Sequence, residues 1–151
     1  MKIGELAVAA ATPIETIRYY EREGLLPSPP RSQGNFRVYE PGHVERLSFI
    51  RFCRGLDMSL EEVRVLLRVR DAPGEDCGDV NALLDAHIGH VSKRIRELRV
   101  LERQLKALRE SCLEARSADQ CGILGGLARG AQAPAVAPRP AKGHLRSVHS
   151  K

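Results

Sequence analysis

The sequence has no long apolar run. Nothing in it approaches the roughly 18 consecutive hydrophobic residues needed to span a bilayer, which excludes a helical membrane protein. It also lacks a secretory h-region: MKIGELAVAAATPIETIRYY meets Glu5 and Glu15 after a short apolar stretch, so a cytoplasmic protein is expected. Cysteine is sparse, with Cys53, Cys77, Cys112 and Cys121 the full set. Without a secretory signal these make a poor disulfide framework and point to reduced thiols for metal or redox chemistry. Surplus positive charge is missing from the first half, where residues 1–75 carry as many Asp and Glu as Lys and Arg. The net charge of +5 is accounted for by Arg129, Arg139, Lys142, Arg146 and Lys151, so the basic balance is by itself no argument for nucleic acid. No internal repeat is visible. An enzyme using an activated cysteine is not expected either, because His87 and His90 stand several helical turns from Cys112 and no oxyanion device is legible.

What is present is a globular composition, 42% hydrophobic and 28% charged over 151 residues, enough for one compact domain plus an elongated element. Ile3, Leu6 and Ala10 recur at helical spacing from Lys2 to about Ala10. Thr12-Pro13-Ile14-Glu15 then offers a capping hydroxyl, a proline for the first helical position and a Glu three residues after the cap, so a second helix should run to about Glu23 and close at Gly24. Residues 25–40 cannot be helical around Pro27, Pro29 and Pro30. Phe36, Val38 and Tyr39 favour a strand after the Gly34-Asn35 turn, which reads as a small β wing. Pro41 opens a third helix carrying Val44, Leu47, Ile50 and Phe52 or Cys53, and Ser59 with Glu62 forms a capping box for a fourth with Leu60, Val63, Leu66 and Leu67 inward.

After Ala72-Pro73-Gly74 the pattern changes. Asp79 can cap one uninterrupted helix to about Ser111, with Leu84, Ile88, Val91, Ile95 and Leu98 in steps of four and three, then Leu101, Leu105 and Leu108. So long an apolar stripe needs a partner, and dimerisation is expected. The fold class is therefore mainly α: a winged helix-turn-helix domain (1–75), a long antiparallel coiled-coil dimerisation helix (76–111), a metal-binding loop with a short helix (112–127), and a disordered basic tail (128–151).

Two helices followed by a wing suit a double-stranded DNA reader whose second helix enters the major groove. The second helix carries Thr16, Arg18, Tyr19, Tyr20 and Arg22, and the stretch from Arg31 to Tyr39 holds Arg31 and Arg37 with no acid. MKIGELA, ETIRYYEREGLLP and RSQGNFRVYE together resemble the signature of MerR-type transcriptional regulators, a likeness that covers roughly residues 1–127. The resemblance implies Arg18, Tyr19, Tyr20, Arg37 and Tyr39 as DNA contacts, with Thr16 nearby. It further implies a two-fold homodimer on pseudo-palindromic promoter DNA, distorting an overlong spacer for RNA polymerase. Phe36 departs from the Tyr often found there, removing a hydroxyl from the wing.

Cys77 precedes the long helix, Cys112 ends it and Cys121 follows nine residues later. About 35 residues at about 1.5 Å each separate Cys77 from Cys112 by roughly 50 Å, so one ion cannot join them within a protomer. An antiparallel dimer brings Cys77 of one protomer to Cys112 and Cys121 of the other, making two equivalent sites. Three thiolates favour soft ions, and Cys121 at a helix start should ionise readily. MerR-type metal sensors place ligands at these positions, and Cys112-x8-Cys121 resembles their metal loop. Monovalent copper, silver or gold sensors of the family typically have Ser where Cys77 stands, and zinc-sensing relatives add His. With DCGDVNALLDAHI, the cysteine triple looks most like the cadmium- and lead-responsive branch, with Pb(II) or Cd(II) as effector and Zn(II) or Hg(II) as alternatives. His87 and His90, three apart on the helix, form a candidate second metal site with His144 and His149 of the tail, against the plainer reading of a solvated face. His43 reads as a surface or capping residue, Cys53 as a small core hydrophobe, and the cysteine spacing argues against an iron–sulfur sensor.

Overall fold

A computed structural model describes residues 1–133, which divide into two compact units, Met1–Asp85 and the segment from Ala86 onward. The expected tail therefore lies largely outside the described residues. The elements are α1 (Ile3–Ala9), α2 (Ile14–Arg22), α3 (Pro41–Gly55), α4 (Leu60–Arg70), α5 (Gly78–Glu110), a 3-10 turn at Ala118–Gln120, and α6 (Gly122–Gln132). The architecture is mainly α, and the first unit takes in the opening turns of α5 as well as the expected 1–75.

In the first unit α1 and α2 meet through a turn in which Ala11 adopts φ 46, a left-handed conformation costly for an L-residue. Thr12 does not cap α2 as its sequence context suggests. Its hydroxyl instead donates to the Ala10 carbonyl at 2.9 Å, the side chain is buried, and Pro13 occupies the N-cap position with extended backbone. The end of α2 follows the expectation: Gly24 takes φ 70, its N–H donates to the Glu21 carbonyl, and the Leu25 N–H reaches back to the Tyr20 carbonyl.

The wing is slighter than a β hairpin. Among the described residues it is reduced to one antiparallel bridge, Arg31 to Arg37, with Ser32 N–H donating to Phe36 O at 2.8 Å and Val38 N–H to Pro30 O at 2.9 Å. The facing segment explains why no strand forms, since Pro27, Pro29 and Pro30 have no N–H to give to a ladder. Asn35 at φ 62 makes the turn, and the Arg31 guanidinium donates to its side-chain oxygen at 2.9 Å.

Pro41 opens α3 as expected. There His43 is buried and caps, its Nδ1 accepting the Glu40 N–H at 3.1 Å. Ser59 and Glu62 form the reciprocal capping box of α4, at 3.0 and 3.1 Å. Leu6, Ile17, Leu25, Leu26, Tyr39, Leu47, Ile50, Val63 and Leu67 fill the core, with Cys53 among them, whereas Phe52 is exposed. That settles the choice between the last two for the inner face of α3.

At the start of α5 the Gly78 N–H donates to the Asp76 side chain at 2.8 Å, so Asp76 takes the capping role expected of Asp79, which lies inside the first turn. In the second unit α5 runs without a break to Glu110, and its apolar seam remains open on one chain: Ile88 is 60%, Ile95 44% and Leu105 57% exposed. Beyond Cys121, α6 continues five residues past the expected end at Leu127, because Ala128, Arg129, Ala131 and Gln132 are good helix formers even without an apolar period.

Candidate nucleic-acid interface and metal centre

The exposed side of α2 presents Arg18, Tyr19 and Arg22, with Thr16 half-buried. Arg22 stacks over the Tyr19 ring at 5.9 Å from its centroid, and Tyr19 lies 5.9 Å from the Tyr20 ring. Tyr20 and Tyr39 sit differently from the others, since both rings are in the core. The Tyr39 hydroxyl donates to Glu21 Oε1 at 2.8 Å, and burial together with that bond pushes its pKa up to about 12. Burial raises the Tyr20 phenol as well, against the opposing pull of Arg54. The structure thus gives Tyr39 a partner of its own on α2.

Glu21 escaped the sequence reading. Its carboxylate is nearly buried, accepts from Tyr39 and faces the Arg37 guanidinium at 3.9 Å, so one side chain of α2 ties to the wing at two points. An acid beside an arginine on an exposed helix face is ordinarily read as solvated surface, and only the fold turns it inward. A cavity of about 130 Å³ also lies beside the start of α2, lined by Thr12, Pro13, Thr16 and Tyr20 with Arg51 and Arg54 of α3. Two arginines three apart on α3 were the available signal.

Each predicted cysteine sits at a helix end. Cys77 is exposed immediately before α5, its carbonyl accepting the Asn81 N–H at 3.0 Å. Cys112 follows α5, where Arg109 donates to its carbonyl at 2.7 Å and its thiol to the Glu114 carbonyl at 3.2 Å. Cys121 is the N-cap of α6 and receives the Gly125 N–H on its carbonyl at 3.0 Å. Its thiol is held below the usual cysteine range chiefly by the Leu124 N–H, against the opposing effect of burial, with smaller contributions from the Ile123 N–H and the neighbouring Cys112 thiol. The second unit therefore brings Cys112 and Cys121 together, one of them acidified, and a paired thiol donor set of this kind fits a soft cation. Cys77 belongs to the first unit. Among the described residues of one chain no three His, Cys, Asp or Glu side chains gather. His87 is buried and His90 exposed, so the pair does not form the solvated face that the plainer reading holds, and His144 and His149 lie outside the described residues.

Comparison with known proteins decides the family. Residues 1–69 match the family model described as MerR HTH family regulatory protein, and residues 44–108 match the one described as MerR, DNA binding. The chain belongs to the MerR family. The ZntR homolog of Haemophilus influenzae is 50% identical over 110 residues, 73% of this chain and 82% of that protein. The mercuric resistance operon regulatory protein of Bacillus cereus is 37% identical over 82% of this chain and 93% of its own length. The solved structure of the transcription regulator PbrR691 from Ralstonia metallidurans CH34, in complex with lead(II), is 55% identical with a TM-score of 0.76, covering 84% of this chain and 98% of that one. As a MerR regulator in the metal-responsive branch, the protein is a DNA-binding transcription factor that acts as a homodimer, not an enzyme. Among its described residues no helix is long and apolar enough to cross a membrane.

Proposed function

We propose that this MerR regulator senses a soft divalent metal, lead or cadmium, and activates resistance genes from promoter DNA. The observation that carries the reading is the approach of Cys112 to an acidified Cys121 at the start of α6, with a third cysteine standing before α5. The lead-bound relative at 55% identity supports the choice of metal. In this reading Cys77 of one protomer joins Cys112 and Cys121 of its partner across an antiparallel α5 pair, giving two equivalent three-thiolate sites. A soft divalent cation supplies the charge that lets three thiolates share one site.

The chain's own residues do the rest. Arg18, Tyr19 and Arg37 meet DNA phosphates and base edges, with Thr16 beside them, while Tyr20 and Tyr39 act from within the core, Tyr39 fixing α2 and the wing to each other through Glu21. Closing the 112–121 loop on the partner's Cys77 biases the dimer toward the state that bends promoter DNA for RNA polymerase. That bias exists only if the loop closes better in the bending state than in the relaxed one. His87 and His90 contribute to no site in this reading. The place of action is the cytoplasm.

The deciding experiment is an anaerobic titration of the reduced protein with lead, cadmium, zinc, mercury and monovalent copper, followed by thiolate-to-metal absorption. One lead or cadmium ion per protomer is expected, with affinity falling at least about tenfold, about 1.4 kcal/mol, in Cys77→Ser. Equal binding by that variant, or tight saturation by copper alone, would reassign the protein to two-thiolate sensing of a monovalent ion. The mercuric relative makes mercury the other outcome to watch.

A further inference from the structure

Four glycines stand within the 11 residues of α6: Gly122, Gly125, Gly126 and Gly130. Glycine is the poorest helix former apart from proline, and none of the four has the positive φ that would call for it. Space separates them. A Cβ on Gly130 would meet nothing within 4 Å, and one on Gly125 would meet only the flexible end of Arg129 at 3.4 Å. On Gly126 it would touch Leu108 Cδ2 at 3.0 Å, a contact that a side chain can yield. On Gly122 it would fall on the Ser111 carbonyl oxygen, with the Ser111 carbonyl carbon at 3.0 Å and Cβ at 3.4 Å. That is backbone and cannot give way locally.

Ser111 is itself pinned. Its N–H and its hydroxyl both donate to the Leu108 carbonyl, at 3.1 and 2.6 Å, so the last turn of α5 is tied off immediately before Cys112. Gly122 is the next residue after Cys121. The contact between Gly122 and Ser111 therefore joins the two positions adjacent to the two thiols, one just outside each end of the loop.

We propose that Gly122 is a positioning residue for the Cys112–Cys121 pair: its missing side chain lets α6 seat on the Ser111 backbone, and that seat sets the approach of the two sulfurs. Gly126 extends the seat one turn along the same face toward Leu108. The proposal builds on the reading of Cys112 and Cys121 as metal ligands and adds a residue that contributes no donor atom.

The test uses the full chain as wild type, Gly122→Ala, Gly126→Ala and Gly130→Ala, without metal. Reduced protein is treated with dibromobimane, which bridges two nearby thiols, and the bridged peptide is identified by mass spectrometry. The yield of the Cys112–Cys121 bridge should fall at least about fivefold in Gly122→Ala, less in Gly126→Ala, and not at all in Gly130→Ala. Lead affinity, measured by chelator competition, should follow the same order with at least a tenfold loss at Gly122, while metal-free operator binding stays within about twofold. Should Gly122→Ala fold poorly, the order of Gly126→Ala against Gly130→Ala still decides. Bridging in Gly122→Ala equal to wild type, or equal loss in Gly126→Ala and Gly130→Ala, overturns the proposal. Lost bridging with unchanged lead affinity would leave the seat standing and remove the two cysteines from the ligand set.

Discussion

The two units spend their apolar residues in opposite ways. In the first, Leu6, Ile17, Leu47, Ile50 and Val63 are fully buried within one chain, and helices, turn and wing all converge on them. In the second, the residues of greatest helical regularity, from Ile88 through Ile95 to Leu105, stay open. Regular spacing therefore identifies an apolar stripe without saying whose stripe covers it. The first unit closes its apolar residues on themselves, whereas the seam of the second is left open for a partner, and a homodimer, the habit of this family, offers one in a second copy.

The sharpest way to break this contrast is to charge the seam. Val91→Glu with Ile95→Glu should turn the dimer into a monomer by sedimentation and lower operator binding by more than about a hundredfold, about 2.7 kcal/mol. A dimer that survives unchanged would mean that the seam is not the interface. Next in size, Leu47→Ala should cost about 2–5 kcal/mol in urea unfolding of the first unit, as a fully buried side chain leaves a cavity. The same truncation at Ile88, 60% exposed on one chain, should cost little in the monomeric seam variant.

A loss smaller than that at Leu47 concerns the link between α2 and the wing. Tyr39→Phe should lower stability by about 1–3 kcal/mol by removing the donor to a nearly buried carboxylate. It should also remove a pH dependence. Tyr39 loses its proton near pH 12 in the folded chain against 10 in the unfolded one, so the folded state holds the proton more tightly. The associated stability is complete below pH 10 and lost as pH rises through 10 toward 12. Unfolding followed from pH 8 to 12 should show this loss in wild type and a shallower one in Tyr39→Phe; parallel curves would detach Tyr39 from the effect.

Much of the fold was legible because helix ends are written in local chemistry. Gly24, Pro41 and the Ser59–Glu62 box act on their own neighbours, and the structure uses each as its residue type suggests. Where two neighbours compete the sequence is silent: the Thr12 hydroxyl faces both the next helix and the previous carbonyl, and it takes the carbonyl. The same limit applies to the interface. Tyr19 and Tyr39 are both tyrosines beside arginines, yet one is exposed and the other in the core, since which way a ring turns is decided by packing rather than spacing. Cysteine positions at helix ends were readable one by one. The close seating of Gly122 was not, because it depends on the path of the loop between two helices.

The open seam on α5 also carries a consequence at the scale of the cell. If each sensing site is assembled from two chains, the number of working sensors rises with the square of the chain's abundance when copies are scarce, and linearly only once pairing saturates. Bound effector then acts as glue, recruiting singles into pairs, so the threshold at which the switch trips is set jointly by effector and by how much of the protein the cell keeps. A strain that makes more of this chain would change its alarm point without altering a single ligand.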